Sequence, residues 1–219
     1  MADDRTAPEA TGADHEVVAV LLAAVAGSLD VLAFLALGQV FASVMTGNLA
    51  LLGVAVGTTD GDLARSAGIA FAGYACGTAA GSLLTGGRRP RPARWALALE
   101  SALLTVVVAG WEAESGEPTA TLRPWLLLVA AAAMGVQSVA ARRLPGGPST
   151  TYFTGMLTGV VADLVQHRRV HAWSAARIAS LVVAAGLAAG LDQHAPRLAV
   201  VLPGLALAAA TFLAHVRRI

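Results

Sequence analysis

The chain has 219 residues, of which 56% are hydrophobic and 13% charged, and its mean hydropathy is +0.67. A soluble domain carries about 25% charged residues, so a chain of this composition cannot cover a globule with polar surface and reads as an integral membrane protein. The net charge of +1, with arginines in short clusters, excludes a nucleic-acid binder, and the single cysteine, Cys76, excludes an intramolecular disulfide or a cysteine-rich metal site.

Residues 1–16 are polar and mostly acidic (Asp3, Asp4, Glu9, Asp14, Glu16), with Arg5 as their one arginine. That is no signal-peptide start, and the stretch reads as a disordered cytoplasmic tail. A spanning helix needs about 20 mostly apolar residues. Six segments qualify or nearly so: 17–37, 67–85, 95–111, 124–141, 173–191 and 198–215. Two further stretches, 38–57 and 145–165, begin with residues that suit a helix poorly and then pass through Thr-Gly. About eleven apolar residues follow in each, rising roughly 16 Å. That is half of a hydrocarbon core about 30 Å thick.

Arginine placement tests whether the two short stretches cross. Cytoplasmic loops carry excess Lys and Arg, which puts the loop with Arg88, Arg89, Arg91 and Arg94 inside. With six spans, Arg5, Arg142, Arg143, Arg168, Arg169, Arg177, Arg217 and Arg218 join it, leaving Arg65, Arg123 and Arg197 outside, 12 against 3. With eight spans the division is 7 against 8. The six-span arrangement also puts Glu112, Glu114 and Glu117 outside. The expected fold is therefore an all-α membrane protein with six transmembrane helices, two re-entrant half-helices and both termini inside.

An internal repeat supports this. At an offset of 108, Ala23, Ala24, Gly27, Val31, Ala33, Gly38, Thr46, Gly47 and Leu49 recur as Ala131, Ala132, Gly135, Val139, Ala141, Gly146, Thr154, Gly155 and Leu157. At an offset of 109, Gly77, Ala79, Ala80 and Gly81 recur as Gly186, Ala188, Ala189 and Gly190. Repeat one covers 17–111 and repeat two covers 124–215, each ordered as span, Thr-Gly segment, span, span. Three crossings per repeat make the second repeat inverted. Inverted repeats recur in transporters, with the substrate site where broken helices meet near the midplane.

The runs Gly27-Ser28-Leu29-Asp30 and Val40 to Leu49 resemble the YoaK-like family of bacterial multi-pass membrane proteins. So do Met134-Gly135-Val136-Gln137 and Thr150 to Gly155. The resemblance covers nearly the whole chain beyond the tail. Ser138, where the family pattern has Asn, and Met156, where a small polar residue is commoner, depart from it. The resemblance implies a membrane location and a shared fold, and no substrate.

Thr46 and Thr154 head the candidate pathway residues. Each is placed to cap a half-helix whose first N–H groups lack partners, and Gly47 and Gly155 let a substrate come close. The positive end of such a helix favours an anion or a carbonyl oxygen. Asn48 adds an amide in repeat one alone. Asp30 lies well inside the first span, where an acid is costly and usually faces the bundle interior; Gln137 and Ser138 stand at the equivalent place in repeat two. Its alternative role is to hydrogen-bond the facing half-helix and fix it in place. Glu100 is expected to reach the cytoplasmic interface near Arg94, and Asp163 to pair at the interface with His167 or Arg168. Gly73, Gly77 and Gly81, echoed by Gly186 and Gly190, form a helix-packing stripe, either within one protomer or between two copies in a homodimer.

The histidines (His15, His167, His171, His194, His215) lie in tails, loops or segment ends, so no metal site and no cofactor is expected. No nucleotide loop or nucleophile elbow is present, so no enzyme is expected. The sequence reads as a small permease in a bacterial inner membrane for a small polar or anionic solute, its pathway between facing Thr-Gly half-helices. The alternatives are a membrane scaffold or sensor that binds a lipid or a partner, and an intramembrane enzyme acting on a lipid-like substrate.

Overall fold

The computed structural model describes residues 11–86, 91–144, 153–168, 171–217 and 219. Among them all regular structure is helical. The elements are α1 (Gly12–Leu32, continued by a π-helical turn, Ala33–Gly38), α2 (Met45–Thr58), α3 (Gly61–Thr85), α4 (Ala93–Ala113) and α5 (Arg123–Arg143), then α6 (Phe153–His167), α7 (Ala172–His194), α8 (Pro196–Ala199) and α9 (Val201–Val216). Six stretches are long and apolar enough to cross a membrane: Gly12–Gly38, Gly61–Thr85, Ala93–Ala113, Arg123–Arg143, Ala172–His194 and Pro196–Val216. They are the six spans expected from hydropathy. α2 has 14 residues and α6 has 15; at about 1.5 Å per residue each rises roughly 22 Å, short of a core about 30 Å thick.

Local chemistry sets the helix ends. α1 starts at Gly12, earlier than the expected 17, because Thr11 and Asp14 form a capping box: Asp14 N–H donates to the Thr11 hydroxyl at 3.3 Å, and Thr11 N–H donates to the Asp14 carboxylate at 2.9 Å. The rest of the expected disordered tail, residues 1–10, lies outside the described residues. Asp60 caps α3, accepting from Leu63 N–H at 3.0 Å. α1 ends where Gly38 takes φ +142°, a conformation open to glycine, and Gln39 follows at φ 58°.

Side-chain contacts give the helix directions. α3 and α5 run parallel: Gly73 lies on Leu128, Gly77 on Ala132, and Gly81 on Val136 and Val139. α1 and α7 also run parallel, through the Glu16–Arg177 ion pair and a bond from the Ser180 hydroxyl to the Val20 carbonyl at 2.9 Å. α9 runs against both α1 and α4: Arg217 meets Asp14 at 3.5 Å, the Ser101 and Thr211 hydroxyls lie 3.2 Å apart, and Trp111 Nε1 donates to the Pro196 carbonyl at 2.8 Å. Gly38, at the end of α1, lies against Ser66 in the second turn of α3. A cavity of about 510 Å³ joins that same end of α3 (Arg65, Ile69) to the first turns of α5 (Pro124, Trp125, Leu128). The end of α1 and the start of α5 are therefore level, and the two helices run in opposite directions.

The packing repeats at the level of single residues. Gly135 would place a Cβ 2.2 Å from the Tyr74 carbonyl, and Gly27, its counterpart at an offset of 108, would place one 2.3 Å from the Leu181 carbonyl. A Cβ on Gly73 would lie 2.4 Å from the Leu128 carbonyl, and at the matching place the Ser180 hydroxyl donates to the Val20 carbonyl. Tyr74 with Leu181 and Gly73 with Ser180 set an offset of 107 between α3 and α7. The counterparts of Gly77 and Gly81 are then Ala184 and Ala188, both buried. Within the one chain the expected echo at Gly186 and Gly190 is not found: a Cβ on either would meet nothing within 4 Å. The expected stripe on α3 packs within the one chain, against α5.

Candidate functional site

Asp30 is 8% exposed and both of its carboxylate oxygens are engaged by one residue. Ser43 donates its backbone N–H to one at 2.6 Å and its hydroxyl to the other at 2.6 Å. Ser43 lies between the π-helical end of α1 and the start of α2, so this pair ties the connection ahead of α2 back onto α1. Asn48, 1% exposed, makes a second clamp. Its amide accepts from Phe41 N–H at 2.8 Å and donates to the Phe41 carbonyl at 2.6 Å. The Phe41 ring stacks on Phe34, centroids 5.4 Å apart, and touches the space above Gly47, where a Cβ would lie 3.3 Å away. The backbone polar groups of an irregular segment need such partners wherever water does not reach them.

The expected cap differs. Val44, not Thr46, is the N-cap of α2, and it makes no side-chain cap bond. Thr46 lies within the first turn and is exposed, and Thr154 takes the matching place in α6 and is exposed too. Gly47 and Gly155 are half-buried. Residues 145–152, which lead into α6, lie outside the described residues. α2 packs on α3 and α6 packs on α7. Among the described residues α2 and α6 do not pack extensively on each other, so the expected face-to-face placement of the two Thr-Gly starts is not found.

In repeat two, Gln137 and Ser138 are buried but point to different neighbours. Gln137 Nε2 donates to the Leu22 carbonyl of α1 at 3.0 Å, and the Ser138 and Tyr74 hydroxyls lie 2.7 Å apart. Asp163 lies 3.5 Å from His167 Nδ1 and 3.2 Å from His171 Nε2, at a solvent-exposed end. Among the described residues no cluster of His, Cys, Asp or Glu could hold a metal ion.

Glu100 overturns its expectation. It is fully buried, and neither carboxylate oxygen has a hydrogen-bond partner among the described residues. Its spacing from Ala93, Ala96, Leu97, Leu104 and Val107 puts it on the face of α4 that turns into the bundle, and that face, not the distance from the segment start, decides its surroundings. Ser43 was missed as the partner of Asp30; its place just ahead of the first Thr-Gly segment was the available signal.

Helices that span, acids held inside the bundle and polar side chains spent on irregular backbone define a multi-pass membrane protein. The chain matches the family described as protein of unknown function DUF1275 over residues 18–213, and it belongs to that family. It is 33% identical over 149 residues to the UPF0700 transmembrane protein YoaK of Bacillus subtilis (strain 168). That match covers 66% of this chain and 64% of the relative, so the chain spans about two-thirds of the length of the curated protein it matches. No solved structure matches it.

Proposed function

We propose that the protein is a small permease for a polar or anionic solute, built from two inverted-topology repeats that each carry one re-entrant helix. One observation carries this reading: Gly38 at the end of α1 lies against Ser66 near the start of α3. The chain between them, α2 included, leaves one end of the bundle, reaches Asp30 and comes back. Opposed directions of α1 and α5, and residue-for-residue equivalence of the α1–α7 and α5–α3 contacts, support the inversion. Arginine distribution supports cytoplasmic termini in a bacterial inner membrane.

On this reading the half-sites are the starts of the two short helices, with Thr46, Gly47 and Asn48 in one and Thr154 and Gly155 in the other. They pack on different helices, which favours a carrier that exposes them in turn over a continuous pore. Asp30 holds the first half-site through Ser43, while Gln137 and Ser138 tie α5 to α1 and α3. The surrounding partner is the lipid bilayer, and the role is transport without covalent chemistry. The test is entry of a panel of small polar solutes, carboxylates included, into proteoliposomes. The reading predicts faster entry of at least one solute than into protein-free vesicles, and loss of that gain in Gly47→Leu, whose side chain fills the space under Phe41. Entry unchanged by the protein across the panel contradicts it.

A further inference from the structure

Glu100 differs from the other buried acid of the bundle. Asp30 has both oxygens satisfied. Glu100 is 0% exposed and both its oxygens are without partners among the described residues. Buried polar atoms are nearly always hydrogen-bonded, so each exception calls for an explanation.

α4 packs on α5, α9 and α3, and the charged or titratable groups on each are engaged elsewhere or lie at helix ends. On α5, Arg123 donates to the Pro118 carbonyl, and Arg142 and Arg143 are exposed in the last turn. On α9, His215 lines a cavity of about 450 Å³ beside Ser101 and Thr211, and Arg217, just beyond, meets Asp14. On α3, the Tyr74 hydroxyl pairs with Ser138, Cys76 is exposed, and Asp62 and Arg65 lie in the first turns, at the end where α4 finishes. None forms an ion pair or hydrogen bond with Glu100. Its buried neighbours along α4 are Ala96, Leu97 and Leu104, which offer no oxygen for a metal cation.

An unpaired charge in such a place is far more costly than a neutral acid. We infer that Glu100 is a buried proton-binding site, resting as the neutral carboxylic acid and exchanging its proton with water only when the packing of α4 on α5 and α9 opens. Release breaks the O–H bond, passes the proton to water and leaves a carboxylate; reclosure requires the reverse. This goes beyond the permease reading and stands whether or not a solute crosses.

Infrared spectroscopy of the reconstituted full-length protein tests it. At neutral pH the wild type is expected to show a carboxylic-acid C=O band that Glu100→Gln lacks. Transfer to D2O is expected to shift that band while the protein stays folded. If the variant does not fold, ¹³C labelling of glutamate carboxyls in the unaltered chain isolates the same band, because Glu100 is the one buried glutamate among the described residues. Absence of a neutral-acid band at neutral pH overturns the inference. So does a band that never shifts in D2O, which marks a sealed structural acid.

Discussion

Gly77→Ala is expected to destabilise the protein by about 3 kcal/mol, the upper part of the range for overpacking a close contact. The added Cβ would lie 1.9 Å from the Ala132 carbonyl oxygen and 2.6 Å from its carbon. Both are backbone atoms of α5, which cannot swing aside as a side chain can, so α3 and α5 must separate. Small residues let backbones approach closely in membrane helices, and here that approach is the central contact of one half of the bundle. Gly135→Ala and Gly27→Ala meet carbonyls at 2.2 and 2.3 Å and are expected to act alike. Gly186→Ala and Gly190→Ala meet nothing, and removing a helical glycine there is expected to be neutral or to stabilise by up to about 1 kcal/mol. Thermal unfolding in a fixed detergent checks this, with a drop on the order of 10 °C for Gly77→Ala. Equal midpoints for Gly77→Ala and Gly186→Ala contradict the helix pairing.

Asp30→Ala is expected to cost about 3 kcal/mol, because it leaves the Ser43 N–H and hydroxyl buried without an acceptor. The loss is local: the chain from Gln39 to Val44 is released from α1 while the six long helices remain packed. A single cysteine at Ala42, which is fully buried, in a Cys76→Ser background, is then expected to react faster with thiol reagents in the Ala variant. Asp30→Asn keeps one carbonyl acceptor for the Ser43 N–H, and its amide donates to the Ser43 hydroxyl, so it is expected to retain most of the stability. An Ala variant as stable and as closed at Ala42 as the wild type contradicts the latch. An Asn variant as damaged as Ala shows that charge rather than hydrogen bonding holds the segment.

The spans were legible because about 20 apolar residues in a row have no other stable use, and the two short helices because their apolar runs stop at half that length. The repeat was legible through Thr46-Gly47 and Thr154-Gly155, which sit one residue inside α2 and α6 alike. Its register between α3 and α7 was not. The glycines match at an offset of 109, but the contacts match at 107. In a helix so rich in Ala and Gly, identity marks composition, whereas the buried face is set by the neighbouring helix. Glu100 was misread for a related reason. Position along a segment gives depth, but the side of the helix that faces protein follows from packing. Thr46 was misplaced as a cap because the chain turns into α2 through Ser43 and Val44, held by an acid distant in sequence.

Sidedness of two positions tests the central account most directly. Single cysteines replace Glu117, in the α4–α5 connection, and Ala172, at the start of α7, each in the Cys76→Ser background, and intact cells are treated with a membrane-impermeant thiol reagent. If α6 returns to the side it came from and the halves are inverted, Glu117→Cys is labelled in intact cells and Ala172→Cys is labelled only after lysis. Labelling of both from the same face would mean that α6 crosses the membrane, and the inverted repeat would be contradicted.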